Sequence, residues 1–281
     1  MNNSESIYLP CAGKSLPLGD FKVHSRFTRV VNFVNEANEI AFITSEISLL
    51  AAHGIFLPEQ SLKFIINLTI TPPEIIINDR RINRSSINKY DSSLNFENID
   101  GVKFEENLLQ LPILFSQEFP EKSLLFLLNS QYEANFTSGF DRAFMINALR
   151  SKELILSGEL IKGVEAIKGT GYGLTPSGDD FIAGLLLGMH YNEFKYRKNL
   201  YKAKNDIYQA VAGQNLLTSS FLFQAKEANY FRILKNFLFL LFDAEISTTK
   251  DELVQLFSLG ATSGADLLTG YIFSIKYKIA I

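Results

Sequence analysis

Cysteine occurs once in this chain of 281 residues, as Cys11. A single thiol closes no internal disulfide and builds no cysteine-cluster zinc or iron–sulfur site, and it fits a reducing compartment. Histidine is also scarce: His24, His53 and His190 lie far apart, with none of the close spacing of a histidine metal site. Positive charge is not in excess either. Lys and Arg number 27 against 30 Asp and Glu, and no basic run exceeds the pair Arg80–Arg81. The chain lacks the basic footprint of a nucleic-acid binder. Long apolar runs are missing too. Phe181–Met189 and Phe237–Phe242 are the longest, against the roughly 18 residues needed to span a bilayer. Met1–Pro10 has neither a basic nor an apolar leader segment. A cytoplasmic protein with no membrane and no nucleic-acid partner is expected.

What is present is an ordinary globular composition, 47% apolar and 20% charged, in a chain long enough for one large domain or two small ones. From Phe21 to Leu111 the pattern is β-rich. Phe21–Val34, Glu39–Thr44, Ser61–Thr71 and Glu74–Asn78 concentrate β-branched and aromatic residues, with Pro72-Pro73 between the last two. Asn78-Asp79-Arg80 and Asn98–Gly101 read as turns between strands. No β-α-β alternation and no dinucleotide-binding glycine fingerprint follow a strand here. From about Glu121 the apolar period becomes helical, in Ser123–Tyr132, Phe140–Leu149, Glu153–Ile167, Asp179–Phe194, Leu200–Gln214, Leu217–Ala228, Tyr230–Phe242, Lys250–Ser258 and Ala265–Tyr277. The expected class is α+β. A β-rich region (antiparallel sheet or small barrel) over 1–120 precedes a mostly helical region over 121–281, with the join inside 112–137.

One segment differs from the rest. Lys168–Asp180 reads KGTGYGLTPSGDD. Gly169, Gly171 and Gly173 at alternate positions permit positive φ and close approach of a ligand to the backbone. Thr175-Pro176 breaks any helix, after which Ser177 is expected as N-cap, with Asp180 completing an approximate capping box. A glycine loop feeding a helix N-terminus suits an anion. The spacing is not that of a phosphate-binding P-loop, since Lys168 precedes the loop and Ser177 is followed by Gly178-Asp179-Asp180. Two carboxylates would repel a phosphate. Three arrangements resolve that: a bridging Mg²⁺, a ligand whose N–H groups face the carboxylates, or carboxylates turned aside to cap the helix. The sequence names no cofactor and no metal ligand beyond that option. Plain capping accounts for any one of these residues, but not for three spaced glycines with two carboxylates.

Gly260–Gly270 repeats the motif. On Ser-Gly-x-Asp-x-x-x-Gly, Ser177, Gly178, Asp180 and Gly184 align with Ser263, Gly264, Asp266 and Gly270. Gly184, Gly188 and Gly270 suggest two closely packed helices, with both N-termini aimed at one pocket. The candidate catalytic residues are Ser177, Asp179 and Asp180. The candidate ligand-binding residues are Gly171, Gly173, Thr175, Gly178, Ser263, Gly264, Asp266 and Thr218, the last from the hydroxyl cluster Thr218–Ser220 at an expected helix start. Elsewhere the ordinary readings are favoured: His24 as structural, His190 as packing or helix C-terminal charge, Arg142 and Arg150 as solvated charges rather than an anion clamp.

The run Gly171–Phe181 with Gly184, the Thr262–Asp266 stretch, Thr218–Ser220 and the segment Val23–Phe27 together resemble a bacterial domain-of-unknown-function family that includes the AllH-like subunit of oxamate carbamoyltransferase. The resemblance implies a cytoplasmic role in purine and allantoin nitrogen catabolism. It implies conversion of oxalurate and phosphate to oxamate and carbamoyl phosphate by cooperating subunits. It brings no assigned catalytic residue. The expected function is therefore a carbamoyltransferase-type subunit that meets a small anionic or carbamoyl-containing metabolite and other protein subunits. The alternative is a non-catalytic anion-binding or scaffolding subunit of a metabolic complex.

Overall fold

A computed structural model describes residues 10–58, 62–173 and 175–281. The chain divides into two compact units, residues 1–93 with 229–233, and residues 94–228 with 234–281.

The first unit is one curled sheet. Its strands are β1 (Cys11–Gly13), β2 (Gly19–Arg26), β3 (Val30–Asn35), β4 (Ile40–Thr44), β5 (Gly54–Phe56), β6 (Asn67–Ile70), β7 (Glu74–Ile77), β8 (Arg80–Asn83) and β9 (Asn88–Tyr90). Their order across the sheet is β8-β7-β6-β2-β3-β4-β5-β1-β9. Neighbours run antiparallel except β4–β5 and β1–β9. The expected run Phe21–Val34 is two strands, because the chain reverses where the Phe27 N–H meets the Val30 carbonyl at 2.8 Å. Of the Ser61–Thr71 segment only Asn67–Ile70 is strand and 62–64 is a 3-10 turn, while Ser61 lies outside the described residues. Arg26 explains the shortening: its guanidinium donates to the carbonyls of Leu62 (2.7 Å) and Ile65, fixing that stretch as a turn. Asn78 takes left-handed φ (52°) at the tight β7–β8 turn, as its short polar side chain allows. Alternate residues Phe21, Val31, Phe33, Leu68, Ile70, Ile75 and Ile77 point inward and form the core.

The second unit is helical: α1 (Gly101–Leu114), α2 (Gly139–Leu156), α3 (Leu160–Ile167), α4 (Ser177–Tyr196), α5 (Tyr201–Val211), α6 (Leu216–Lys226), α7 (Arg232–Asp243, entering from the other unit), α8 (Lys250–Phe257) and α9 (Ser263–Lys276). Three expectations need correction. Asn98–Gly101 is not a turn between strands, because the Asp100 side chain accepts the Val102 and Lys103 N–H groups and caps α1 inside the stretch expected to be β-rich. Glu153–Ile167 is interrupted by Gly158 at φ 91°, which ends α2 and starts α3. Ser123–Tyr132 is not a regular helix but 3-10 turns over Leu124–Leu127 and Ser130–Asn135, whose four leucine and phenylalanine side chains (Leu124–Leu127) are all buried. That run is apolar all round, so burial rather than helical period sets its shape.

Helix α4 is the axis of the unit. Ser177 through Met189 are all buried, as expected of a helix without a polar face. It runs alongside α9 in the same direction, since Gly184 meets Leu267–Tyr271 and Gly188 meets Tyr271–Ser274. Around it Phe96, Phe104, Tyr191 and Phe242 stack at ring-centroid distances of 5.1 to 6.3 Å. No described helix is long and apolar enough to cross a membrane.

Candidate functional site

Both glycine turns do the same local work. Helix α3 ends at Ile167, the chain turns through Gly169 (φ 67°), Gly171 (φ 101°) and Gly173 (φ 90°), and α4 begins. Helix α8 ends at Phe257, the chain turns through Gly260 (φ 68°), and α9 begins. The glycine of each Ser-Gly-x-Asp set lies against the preceding helix. A Cβ built on Gly178 would stand 1.9 Å from the Ile167 carbonyl oxygen, and one on Gly264 would stand 2.1 Å from that of Leu256. The last glycines are reciprocal. A Cβ on Gly184 would stand 1.9 Å from the Leu267 oxygen, and one on Gly270 would stand 2.0 Å from the Phe181 oxygen, each contact falling three residues before the partner glycine. The α3–α4 and α8–α9 units are therefore related by an approximate two-fold axis, and the close helix packing read from the glycines is present.

That symmetry brings the two helix N-termini together. The Thr175 hydroxyl lies 3.1 Å from the Ser263 hydroxyl, and Ser177 Oγ lies 3.3 Å from Thr262 Oγ1. Thr175 also donates to Asp180 Oδ2 at 3.1 Å. Asp266 Oδ1 accepts the Leu124 N–H at 2.6 Å. Ser177, Asp179, Asp180, Thr262 and Asp266 are all buried. So four hydroxyls and two carboxyls from two turns 86 residues apart in register form one cluster (Ser177 to Ser263, 263 − 177).

The electrostatics follow from burial. Desolvation pushes Asp180 well above the usual carboxylate range, the Asp266 charge pushes it further, and the Ser263 and Thr175 hydroxyls only partly offset this. Desolvation raises Asp266 to about 7, against the Leu124 N–H and the nearby Thr262 and Ser177 hydroxyls. Those hydroxyls favour its charged form, yet neither makes a well-aligned hydrogen bond to Oδ2, which stays buried without a partner. Asp179 is raised by burial and moderated by the Gly169 N–H and Lys168. Asp266, raised to about 7, can hold and exchange a proton near neutral pH, and burial shifts Asp180 in the same direction.

Several sequence-based expectations change here. Ser177 is the first residue of α4 rather than its N-cap. Pro176 holds the cap position, and Ser177 Oγ instead accepts the Tyr172 N–H at 3.2 Å. No capping box with Asp180 forms, because the hydroxyl is drawn into the cluster. The amides expected to be free for an anion are largely used within the chain. Gly169 N–H goes to Asp179 Oδ1 (2.8 Å), Gly178 N–H to the Thr170 carbonyl (2.9 Å), and the Asp179 and Asp180 N–H groups to the Pro176 carbonyl. Asp179 does turn aside, but onto the Gly169 N–H of the preceding loop rather than onto the first turn of α4, which has no side-chain cap. Among the described residues no group of three His, Cys, Asp or Glu side chains could hold a metal ion.

Gly171 is enclosed, its missing Cβ filled by Ser177 Cβ (2.6 Å) and the Phe144 ring (2.9 Å), whereas Gly173 is exposed. Gly178 and Gly264 have a packing reason of their own. Thr218 lies on α6, which Asn215 rather than Thr218 caps, and its buried hydroxyl has no hydrogen-bond partner among the described residues. His190 is not at a helix end but inside α4, 5.5 Å from the Phe96 ring, and burial lowers its pKa to about 4. Arg142 and Arg150 are exposed.

Residues not singled out from the sequence complete the site. Tyr172, from the glycine turn, donates its hydroxyl to Asp141 Oδ1, and Lys122 donates to Asp141 Oδ2 at 2.5 Å. Those two hydrogen bonds, Lys122 first, hold the Asp141 carboxyl well below its usual range. With the Leu124 amide on Asp266, the 122–124 segment thus braces both turns. The Ser138–Asp141 capping box was legible in the sequence; the reach of 31 residues to Tyr172 was not.

Comparison with known proteins fits this geometry. The matched class is that of subunits of a multi-protein transferase. The family model described as oxamate carbamoyltransferase subunit AllH matches residues 167–275. The stretch is similar to that subunit, consistent with an AllH-like family and with the resemblance carried by the glycine turn. Neither the comparison with curated proteins nor that with solved structures returned a match.

Proposed function

We propose that this chain is a subunit of an oxamate carbamoyltransferase-type enzyme, acting with other subunits in a bacterial cytoplasm during breakdown of purine-derived allantoin. One observation carries the reading. The matched stretch begins at Ile167, the last residue of α3, and ends at Ile275 in α9, so it encloses both Ser-Gly-x-Asp turns and the helix pair that joins them.

In the reaction, a phosphate oxygen attacks the ureido carbonyl of oxalurate, the C–N bond to the oxamate nitrogen breaks, and that nitrogen takes up a proton. A carboxyl kept protonated near neutral pH is the group such a step needs. Asp180 and Asp266 hold that proton, Asp180 bonded to Thr175, which reaches Ser263, and Asp266 beside the Ser177–Thr262 pair. The exposed Gly173 and the half-buried Gly171 and Tyr172 are the part of the turn that a small carbamoyl-containing metabolite would meet. A second reading, a non-catalytic subunit, is favoured in its scaffolding form by the internal use of the Gly169, Tyr172 and Gly178 amides, which leaves those donors unavailable to an anion.

Asp180→Asn, assayed for carbamoyl phosphate formation in the complex reassembled with its partner subunits, separates the two. The transferase reading expects turnover to fall about 100-fold or more while the chain still assembles. Full turnover in this variant, with only its thermal stability altered, favours the scaffold and removes the catalytic role.

A further inference from the structure

We infer that the β-sheet unit carries its own binding site for a small organic anion, a compact molecule bearing a carboxylate or phosphate, at Lys14, Arg84 and Lys89. The inference does not rest on the transferase reading.

The sheet curls until strands from its two ends share one cavity. Ala12, Gly13, Lys14 and Leu16 come from β1 and its continuation, Ile87 and Lys89 from the β9 edge, and Ile75 and Arg84 from the β7–β8 edge. The cavity holds about 300 Å³, enough for a small metabolite. Its floor is continuous with the core, since Ala12, Leu16, Ile75 and Ile87 are buried members of it. The wall contains three cations, with Asp91 just outside it paired to Lys14, in a chain whose net charge is −3. A concave, low-dielectric wall of one sign concentrates its field on a ligand of the other.

The placement of the lysines is the decisive feature. Side chains alternate along a strand, and Ala12 pairs in register with Lys89 on the parallel β1–β9 ladder. Ala12 and Lys89 therefore share a face, and Lys14, in the turn directly after β1, lines the same cavity. Lys14 is held at 2.6 Å by Asp91, and Arg84 by the Thr71 carbonyl at 2.9 Å. Among the described residues no hydrogen bond or ion pair engages the Lys89 side chain, so its charge is available to a ligand. Edge strands also use inward-pointing lysines to block stray pairing. That explains Lys89 alone; Arg84, from the opposite edge, lines the cavity while its guanidinium braces the Thr71 carbonyl. The helical cluster, by contrast, offers an anion buried carboxyls.

The test is calorimetric titration of the full chain with inorganic phosphate and, separately, with oxamate as a small carboxylate. Saturable binding of at least one, with Kd about 1 mM or tighter, is expected and should weaken with added salt. The preferred anion tells which source supplies the shared chemistry. Lys89→Glu should weaken binding about tenfold or more with an unchanged melting curve, Lys14→Ala should weaken it less, and Asp180→Asn should leave it intact. No saturable binding of either anion overturns the inference. So does binding that survives Lys89→Glu or that is lost in Asp180→Asn, which would place it at the helical cluster.

Discussion

The turns that open α4 and α9 share a plan, and one of their differences is a carboxylate. Asp179 in the first corresponds to Ala265 in the second. The first turn spends that extra carboxylate on its own loop, where it accepts the Gly169 N–H, and the longer glycine run is fixed by it. The second turn has no such loop to hold and needs only Gly260. The equivalent Asp180 and Asp266 also diverge. Asp266 has a backbone amide from Leu124, while Asp180 has only hydroxyls and faces the charges of two other aspartates. Repetition thus supplies the scaffold, and small departures from it supply two carboxyls with different hydrogen-bond partners.

The most severe way to test that symmetry is to add a methyl group at its centre. Gly184→Ala and Gly270→Ala each drive a Cβ to about 2 Å from a carbonyl of the facing helix. Each should cost about 3 kcal/mol or more, by urea denaturation. Gly139→Ala, with open space around it, should shift stability by less than about 1 kcal/mol. A well-tolerated alanine at one of the paired glycines and collapse at the other would break the reciprocity.

The next effect concerns the acids. Asp266 titrates near 3.8 when unfolded and near 7 when folded. Between those values the folded chain holds the additional proton, so stability falls as pH rises through the window, and above about 7 the penalty is complete. Asp266→Asn keeps an acceptor for the Leu124 N–H and carries no charge. It should be more stable than the parent at pH 8, by on the order of a few kcal/mol at most, with the advantage fading toward pH 4. A parallel offset at every pH sinks the elevated pKa. Asp180→Asn should behave in the same direction.

The smallest effect sharpens the link between the turns. Thr175→Val and Ser263→Ala should each cost about 1 kcal/mol, and the double variant should cost less than their sum by about 0.5 kcal/mol or more. Strict additivity would mean that the 3.1 Å contact contributes nothing.

The strand-to-helix change, the two motifs and the close helix pair were legible because period and glycine spacing are local properties. Less was legible at the boundaries. Capping at Asp100 and the break at Gly158 depend on single residues competing with a regular pattern. The Leu124–Leu127 run shows no period because it is buried on every side. Within the site, Ser177 and Asp180 read as a capping box because the sequence cannot show that Thr262 competes for that hydroxyl. Lys122 and the Leu124 amide carry no motif, and the Ser138–Asp141 box does not show that Asp141 reaches Tyr172.

What the sequence by itself determined is where backbone must bend sharply and where it must be bare, because only glycine meets those demands and its positions can be read directly. The tertiary structure decided the charge state of the aspartates and the partners of the amides. A carboxyl's proton affinity depends on how much water its neighbours exclude, and those neighbours come from segments as distant as Leu124 and Asp266.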